Sequence, residues 1–229
     1  SILNALPPSP TGGRHIVGHF VVPLVFGALA EAVPGMVQAD CGMMNLVTFQ
    51  GLHRNGRPLS TIYFAAGGFG ALRGRDGAET TPGPSNMGVV PVEMWESLTS
   101  TTILHKRLLP DSGGSGAARG GLGQEVHFRN DSGHPMTLFC MAARTEFPAL
   151  GLLGGAAGGK RRSILNGAEV HPKGTHTMAP GDHFTMWEAG GGGFGAPAER
   201  LPELLLVDLE RGFVTPEGAN RDYGITLEP

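Results

Sequence analysis

The chain has 229 residues, of which 38 are glycine and 18 proline, close to the composition at which a chain stays disordered. A hydrophobic fraction of 40% against 16% charged argues instead for a folded, loop-rich protein, because apolar surface is plentiful and self-repulsion weak. A net charge of −3 supplies no basic stripe for nucleic acid, and two cysteines, Cys41 and Cys140, argue against a disulfide scaffold.

In chain order, Ser1-Ile2-Leu3-Asn4 lacks an initiator Met and runs into a proline-rich stretch, which reads as the interior of a longer sequence. Residues 17–33 carry a helix signal stopped by Pro34-Gly35. The apolar run 20–30 is too short to span a bilayer and contains Pro23; with no leader in front of it, the expected location is the cytoplasm. Residues 44–49 and 60–66 read as strands. Residues 67–91 are a long loop of glycine, proline and small polar residues, a length usually associated with function. Residues 91–98 predict a short helix with proline at its start.

Further on, strands are predicted over 101–109, 124–129, 136–142, 161–165 and 183–188. The turns between them are Asn130-Asp131-Ser132-Gly133, Asn166-Gly167 and Pro180-Gly181-Asp182. A helix over 202–211 ends at Gly212, and Thr215-Pro216-Glu217 opens another. The fold class is α+β: a helix and glycine-rich loops in the N-terminal half, an antiparallel β-rich barrel or sandwich in the second, and short C-terminal helices. The expected segments are 1–100, 101–195 and 196–229.

Several motifs carry less than they promise. Residues 154–160 satisfy the GxxxxGK part of a phosphate-binding loop, but Arg161 stands where a Ser or Thr should hold Mg²⁺, and a strand follows instead of a helix. His15 and His19 are four apart on one helix face, without the Glu that zinc proteases place after the first His. His171 and His176 flank Pro172 and Gly174 in an expected turn, with no further ligand beside them. Cys41 has no neighbouring His base and reads as a small buried residue. An exposed Ser1 nucleophile is disfavoured by the proline-rich continuation. The glycine runs need a structural return for their entropy, either tight turns at strand ends or loops converging on a pocket.

Taken together, the chain resembles the C-terminal part of the hydantoinase B/oxoprolinase family. The resemblance runs from about Gly12 to Leu227. It rests on Ala66-Gly67-Gly68-Phe69-Gly70-Ala71 with Gly74-Arg75-Asp76-Gly77, then Pro91-Val92-Glu93, Pro110-Asp111-Ser112-Gly113-Gly114-Ser115-Gly116 and Arg119-Gly120-Gly121-Leu122-Gly123-Gln124. Gly190-Gly191-Gly192-Gly193-Phe194-Gly195-Ala196-Pro197 and Arg221-Asp222-Tyr223-Gly224 complete it, and the stretch from Arg14 to His19 is similar to one branch.

This resemblance implies a two-component enzyme in a hetero-oligomer. An A-type subunit binds ATP and activates the amide or carbonyl oxygen of the substrate; the B-type subunit binds a divalent metal and carries the hydrolytic or bond-forming step. The metal ligands are expected in an N-terminal half that this sequence lacks, so no metal ligand is assigned here and the catalytic residues are not named. Within this sequence His15, His19, Asn86 and Glu93 are expected in polar pocket roles, Arg75 and Asp76 in fixing loop shape beside the pocket, and Gly67, Gly68 and Gly70 in forming the loop. The later glycine runs are expected to turn corners. Three functional readings follow: ATP-dependent opening of a small cyclic amide, a component of a ketone carboxylase, and a non-catalytic assembly module.

Overall fold

The computed structural model of the protein describes residues 6–9, 13–85 and 87–226. Where one helix is expected over 17–33, two short ones stand, α1 (Arg14–Gly18) and α2 (Val21–Leu29). The break has a covalent cause: a proline ring clashes with the carbonyl four residues back, here that of His19, so Pro23 is tolerated only in the first turn of a new helix.

Two strands, β1 (Met44–Leu52) and β2 (Pro58–Ala66), form a hairpin in register from Met44 opposite Ala66 to Leu52 opposite Pro58. Then α3 (Val92–Thr99) reverses through Ser100, left-handed at φ 57°, into β3 (Thr101–Leu108). The remaining strands are β4 (Gln124–Asn130), β5 (Met136–Met141), β6 (Arg162–Leu165), β7 (Ala168–Val170), β8 (Lys173–Met178) and β9 (His183–Trp187). Two helices, α4 (Pro202–Glu210) and α5 (Pro216–Tyr223), close the fold. Thr215 caps α5 by accepting the Gly218 amide at 2.9 Å, while its hydroxyl donates to Asp111 at 2.7 Å.

All strand pairings are antiparallel, in two open sheets of order β2-β1-β5-β8 and β3-β4-β9-β6-β7. Alternate residues of both sheets, among them Val47, Phe49, Tyr63, Val126, Phe128, Leu138, Phe184 and Met186, meet in one core. The strands therefore make a sandwich and no closed barrel. Antiparallel structure is not confined to the second half of the chain, because β1 and β2 form half of the first sheet. Trp95 of α3 enters that core edge-on to Phe49 and Tyr63, with ring centroids 5.2 and 4.8 Å away. Its indole N–H donates to Thr101 at 2.9 Å.

Two strands carry no period-two signal. β7 has three residues, and β8 is an edge strand whose only buried residue is Met178. His171 and His176, expected in a turn, instead lie before and within β8, where His176 Nε2 donates to the His171 carbonyl at 2.8 Å.

The glycine runs after residue 110 do not turn corners. None of Gly190, Gly191, Gly192 or Gly193 has positive φ. Their amides and carbonyls reach different segments: Gly191 N–H goes to Gly121 (2.9 Å), Gly192 to Asp40 (2.8 Å) and Gly193 to Ala156 (2.9 Å). A Cβ on Gly190 would lie 1.7 Å from the Ser112 oxygen, on Gly191 2.1 Å from Phe69, on Gly192 2.1 Å from Leu150 and on Gly193 2.2 Å from Ser115. Positions 190 and 193 thus face the same neighbouring segment, 112–115, and the two between face others. That three-residue repeat is the geometry of an extended polyproline II-type chain packed backbone to backbone on several sides. Glycine is required there by close approach, and hydrogen bonds between segments satisfy the buried amides.

Candidate functional site

The run 67–70 belongs to the same backbone packing: Gly42 donates to the Gly68 carbonyl (2.8 Å), Gly68 to Ala189 (2.9 Å) and Gly121 to Phe69 (2.8 Å). With this segment anchored, the loop that follows it and helix α2 enclose a cavity of about 530 Å³. Its walls are mainly apolar (Val22, Phe26, Phe69, Leu72, Ala78, Pro84), with Gln38, Arg75, Asp76 and Thr81 as polar members. A recess of about 20 Å³ shares Val22, Phe26, Gln38 and Pro84 with it and reaches Cys41. An apolar wall with a few polar groups is the usual make-up of a small-molecule site.

Asp76 is the fastening of this wall. The Arg200 guanidinium holds it in a two-pronged grip, both hydrogen bonds 2.9 Å, and the Arg119 amide adds a third at 2.7 Å. Burial, the largest influence, pushes its carboxyl up, but Arg200 and Arg119 together outweigh it and hold the group below the usual carboxylate range. Behind it Arg200 also binds Asp208 (2.6 Å), and Arg119, 3% exposed, joins Asp208 (3.2 Å) to Glu79 (2.8 Å). Loop 69–84, the 112–123 segment and α4 are thereby tied at one charged knot. Arg75 is the contrasting neighbour: its backbone pairs with Leu72, its side chain is exposed at the cavity, and among the described residues it forms no ion pair.

Cys41 is not poised as a nucleophile. Burial pushes its thiol up to about 11, and its sulfur accepts from Gln38 Nε2 (3.2 Å) and the Gly70 amide (3.4 Å). Asp40 next to it is ion-paired to Arg144, which also donates to the Cys41 carbonyl at 3.2 Å.

Of the residues expected at the site, the structure brings Arg75 and Asp76 to the cavity. His19 is buried at the end of α1 and is not among the cavity's lining residues. His15 lies in α1, its side chain outside the described residues, and Asn86 also falls outside them. Glu93 is exposed on the first turn of α3, away from the cavity lining. Gln38, Phe26, Arg200, Glu79 and Asp208 had no local signal, since each acquires its role from partners distant in sequence.

Among the described residues no group of three or more His, Cys, Asp and Glu side chains could hold a metal ion. At 154–160 the amides a phosphate would need are engaged: Gly155 donates to Leu152 (2.9 Å), Gly158 to Ala149 (2.9 Å) and Gly159 to Ser112 (2.7 Å). No helix of the described residues is long and apolar enough to cross a membrane.

Comparison with known proteins agrees with this architecture. An uncharacterized protein of Methanocaldococcus jannaschii is 30% identical over 99% of this chain and 40% of its own length. Caprolactamase subunit beta of Pseudomonas jessenii is 27% identical over 88% of this chain and 37% of its own. The crystal structure of ATP-dependent caprolactamase from that organism matches with a TM-score of 0.78 at 23% identity, over 88% of this chain and 37% of that one. The nucleotide-free structure of acetone carboxylase matches with a TM-score of 0.76 at 22% identity, over 92% and 34%. The chain thus spans about two-fifths of the length of the two curated relatives. The family model of hydantoinase B/oxoprolinase matches residues 1–197, and the chain belongs to that family.

Proposed function

We propose that this chain is part of the B-type subunit of an ATP-dependent hydrolase of cyclic amides (hydantoins, lactams or imides), in which it forms a wall of the substrate pocket and contacts between subunits. The observation that carries the reading is the cavity between α2 and loop 69–84. It is apolar enough for a small ring, and Arg75 stands at it without a carboxylate partner among the described residues. An exposed guanidinium there can orient a carbonyl or a developing oxyanion, while Asp76, already held by Arg200, fixes the loop. ATP belongs to an A-type partner in this reading, and the divalent metal to the part of the subunit lying outside this stretch. The subunit named in caprolactamase and the family itself support the hydrolase.

A ketone-carboxylase component is the second reading, favoured by the acetone carboxylase fold match. The test is reconstitution of a subunit of the relatives' length, carrying this stretch, with its ATP-binding partner. ATP hydrolysis that depends on a lactam or hydantoin and yields the opened ring is expected. ATP hydrolysis dependent on ketone and bicarbonate would transfer the proposal to the carboxylase. In the active complex Arg75→Ala is expected to raise KM about tenfold, the effect of losing one charged hydrogen bond to substrate. Unchanged turnover and KM in that variant would favour the assembly module.

A further inference from the structure

The outer face of the five-stranded sheet carries three histidines on three adjacent strands. His105 of β3 stands opposite His127 of β4, and His127 sits one step diagonal to His183 of β9, whose register partner is Arg129. Their rings run in a row, edge to face, with centroids 4.9 and 5.0 Å apart. Within the row His127 Nε2 and His183 Nδ1 are 2.8 Å apart. Two imidazole nitrogens at that distance share one proton: one ring donates N–H and the other accepts. Neither cavity described above uses any of them.

We propose that His127 and His183 form a two-histidine chelate for a divalent transition-metal ion of the Cu(II) or Ni(II) type, with solvent completing the coordination. The first support is the bite. With metal–nitrogen bonds of about 2.0–2.1 Å, nitrogens so spaced subtend close to a right angle, which suits tetragonal ions better than tetrahedral zinc. The second is rigidity: β4 and β9 are interior strands of the sheet, hydrogen-bonded on both sides, so the spacing of the two histidines is set by the ladder.

The charged neighbours leave room for a cation. Arg107 and His105 are bound to Glu125, at 2.9 and 2.8 Å, and Arg129 is bound to Asp131 at 2.8 Å. On binding, the proton of the donating ring moves to that ring's other nitrogen, so both imidazoles stay neutral and each turns a lone pair to the metal by rotation about χ2, a soft torsion for histidine. Because no third His, Cys, Asp or Glu joins the pair as a metal group among the described residues, the site is bidentate.

The test is titration of the untagged chain with Cu(II), read by electron paramagnetic resonance for nitrogen hyperfine structure, and with Ni(II), read by calorimetry. One site per chain with two imidazole nitrogens is expected, weakened at least about tenfold by either His127→Gln or His183→Gln and unchanged by His176→Gln on the edge strand β8. Circular dichroism of each variant establishes that the sandwich persists. Absence of a one-to-one site, or a site indifferent to both substitutions or lost in His176→Gln, overturns the proposal. None of these outcomes bears on cyclic-amide hydrolysis, so the two proposals fail separately.

Discussion

The Arg200 guanidinium grips the Asp76 carboxylate through two hydrogen bonds of 2.9 Å, spanning 124 positions of sequence. All five strands of the second sheet, with β5 and β8 of the first, lie between them in sequence, so the contact belongs to the tertiary structure. Asp76→Asn is expected to destabilise the protein by about 1–3 kcal/mol, because it leaves a nearly fully buried Arg200 with one anion fewer. The sign of the pH dependence follows from the direction of the shift. Asp76 is held below its ordinary value, so its contribution is complete above that value and is lost as pH falls through the folded one. Urea midpoints of wild type and Asp76→Asn should therefore converge below about pH 4; a gap that stays constant to pH 2 would sink the idea.

Backbone-to-backbone packing leaves no room for a methyl group at Gly191, where a Cβ would lie 2.1 Å from the Phe69 oxygen. Gly191→Ala should cost about 3 kcal/mol or prevent folding, since a rigid backbone has to move. Gly88→Ala is the matched comparison, with no atom within 4 Å and no positive φ, and should be within about 0.5 kcal/mol of wild type. Equal thermal shifts for the two would contradict the packing account.

At the end of the core, Arg161 and Glu188 form an ion pair of 2.6 Å with both side chains 0% exposed. Asn45 donates to Glu188 at 3.0 Å, and Arg161 donates to the Ala143 and Gly42 carbonyls at 2.7 and 3.1 Å. Arg161→Met strands the buried carboxylate and should cost about 3–5 kcal/mol by chemical denaturation. Changing Glu188→Gln in the same chain should recover part of that loss, because the unpaired charge is then removed. A double variant worse than the sum of the singles would refute this.

Burial pushes the thiols of Cys41 and Cys140 up to about 11 and about 12. Neither should react with a disulfide reagent at pH 8 in the native protein, and both should react on denaturation, since the thiolate is the nucleophile. Rapid native-state labelling of Cys41 would reopen its reading as a reactive residue.

Much of the fold is local and legible. β1, β4 and β9 alternate apolar and polar residues over much of their length, β5 is a short apolar run, and the turns at Asn166-Gly167 and Pro180-Gly181-Asp182 are spelled by residue type. Thr215-Pro216-Glu217 marks the start of α5 by cap, proline and charge. β8 was illegible because an edge strand with one buried residue carries no period, and the split of α1 from α2 depends on one proline ring.

The pocket was less legible than the strands. Arg75 and Asp76 lie next to each other in sequence, yet one is left exposed and the other is clamped by Arg200; nothing within several residues of either distinguishes them. His19 is buried at the end of α1 and Glu93 is exposed on α3, and neither lines the cavity beside Arg75.

By itself the sequence determined the family, the α+β class and the unusual glycine runs, because residue type, period and ordered motifs are local properties. Only the tertiary structure decided what the glycines were for and which charges are paired. Those depend on segments tens to more than a hundred residues apart arriving within hydrogen-bonding distance, and no local pattern encodes that meeting.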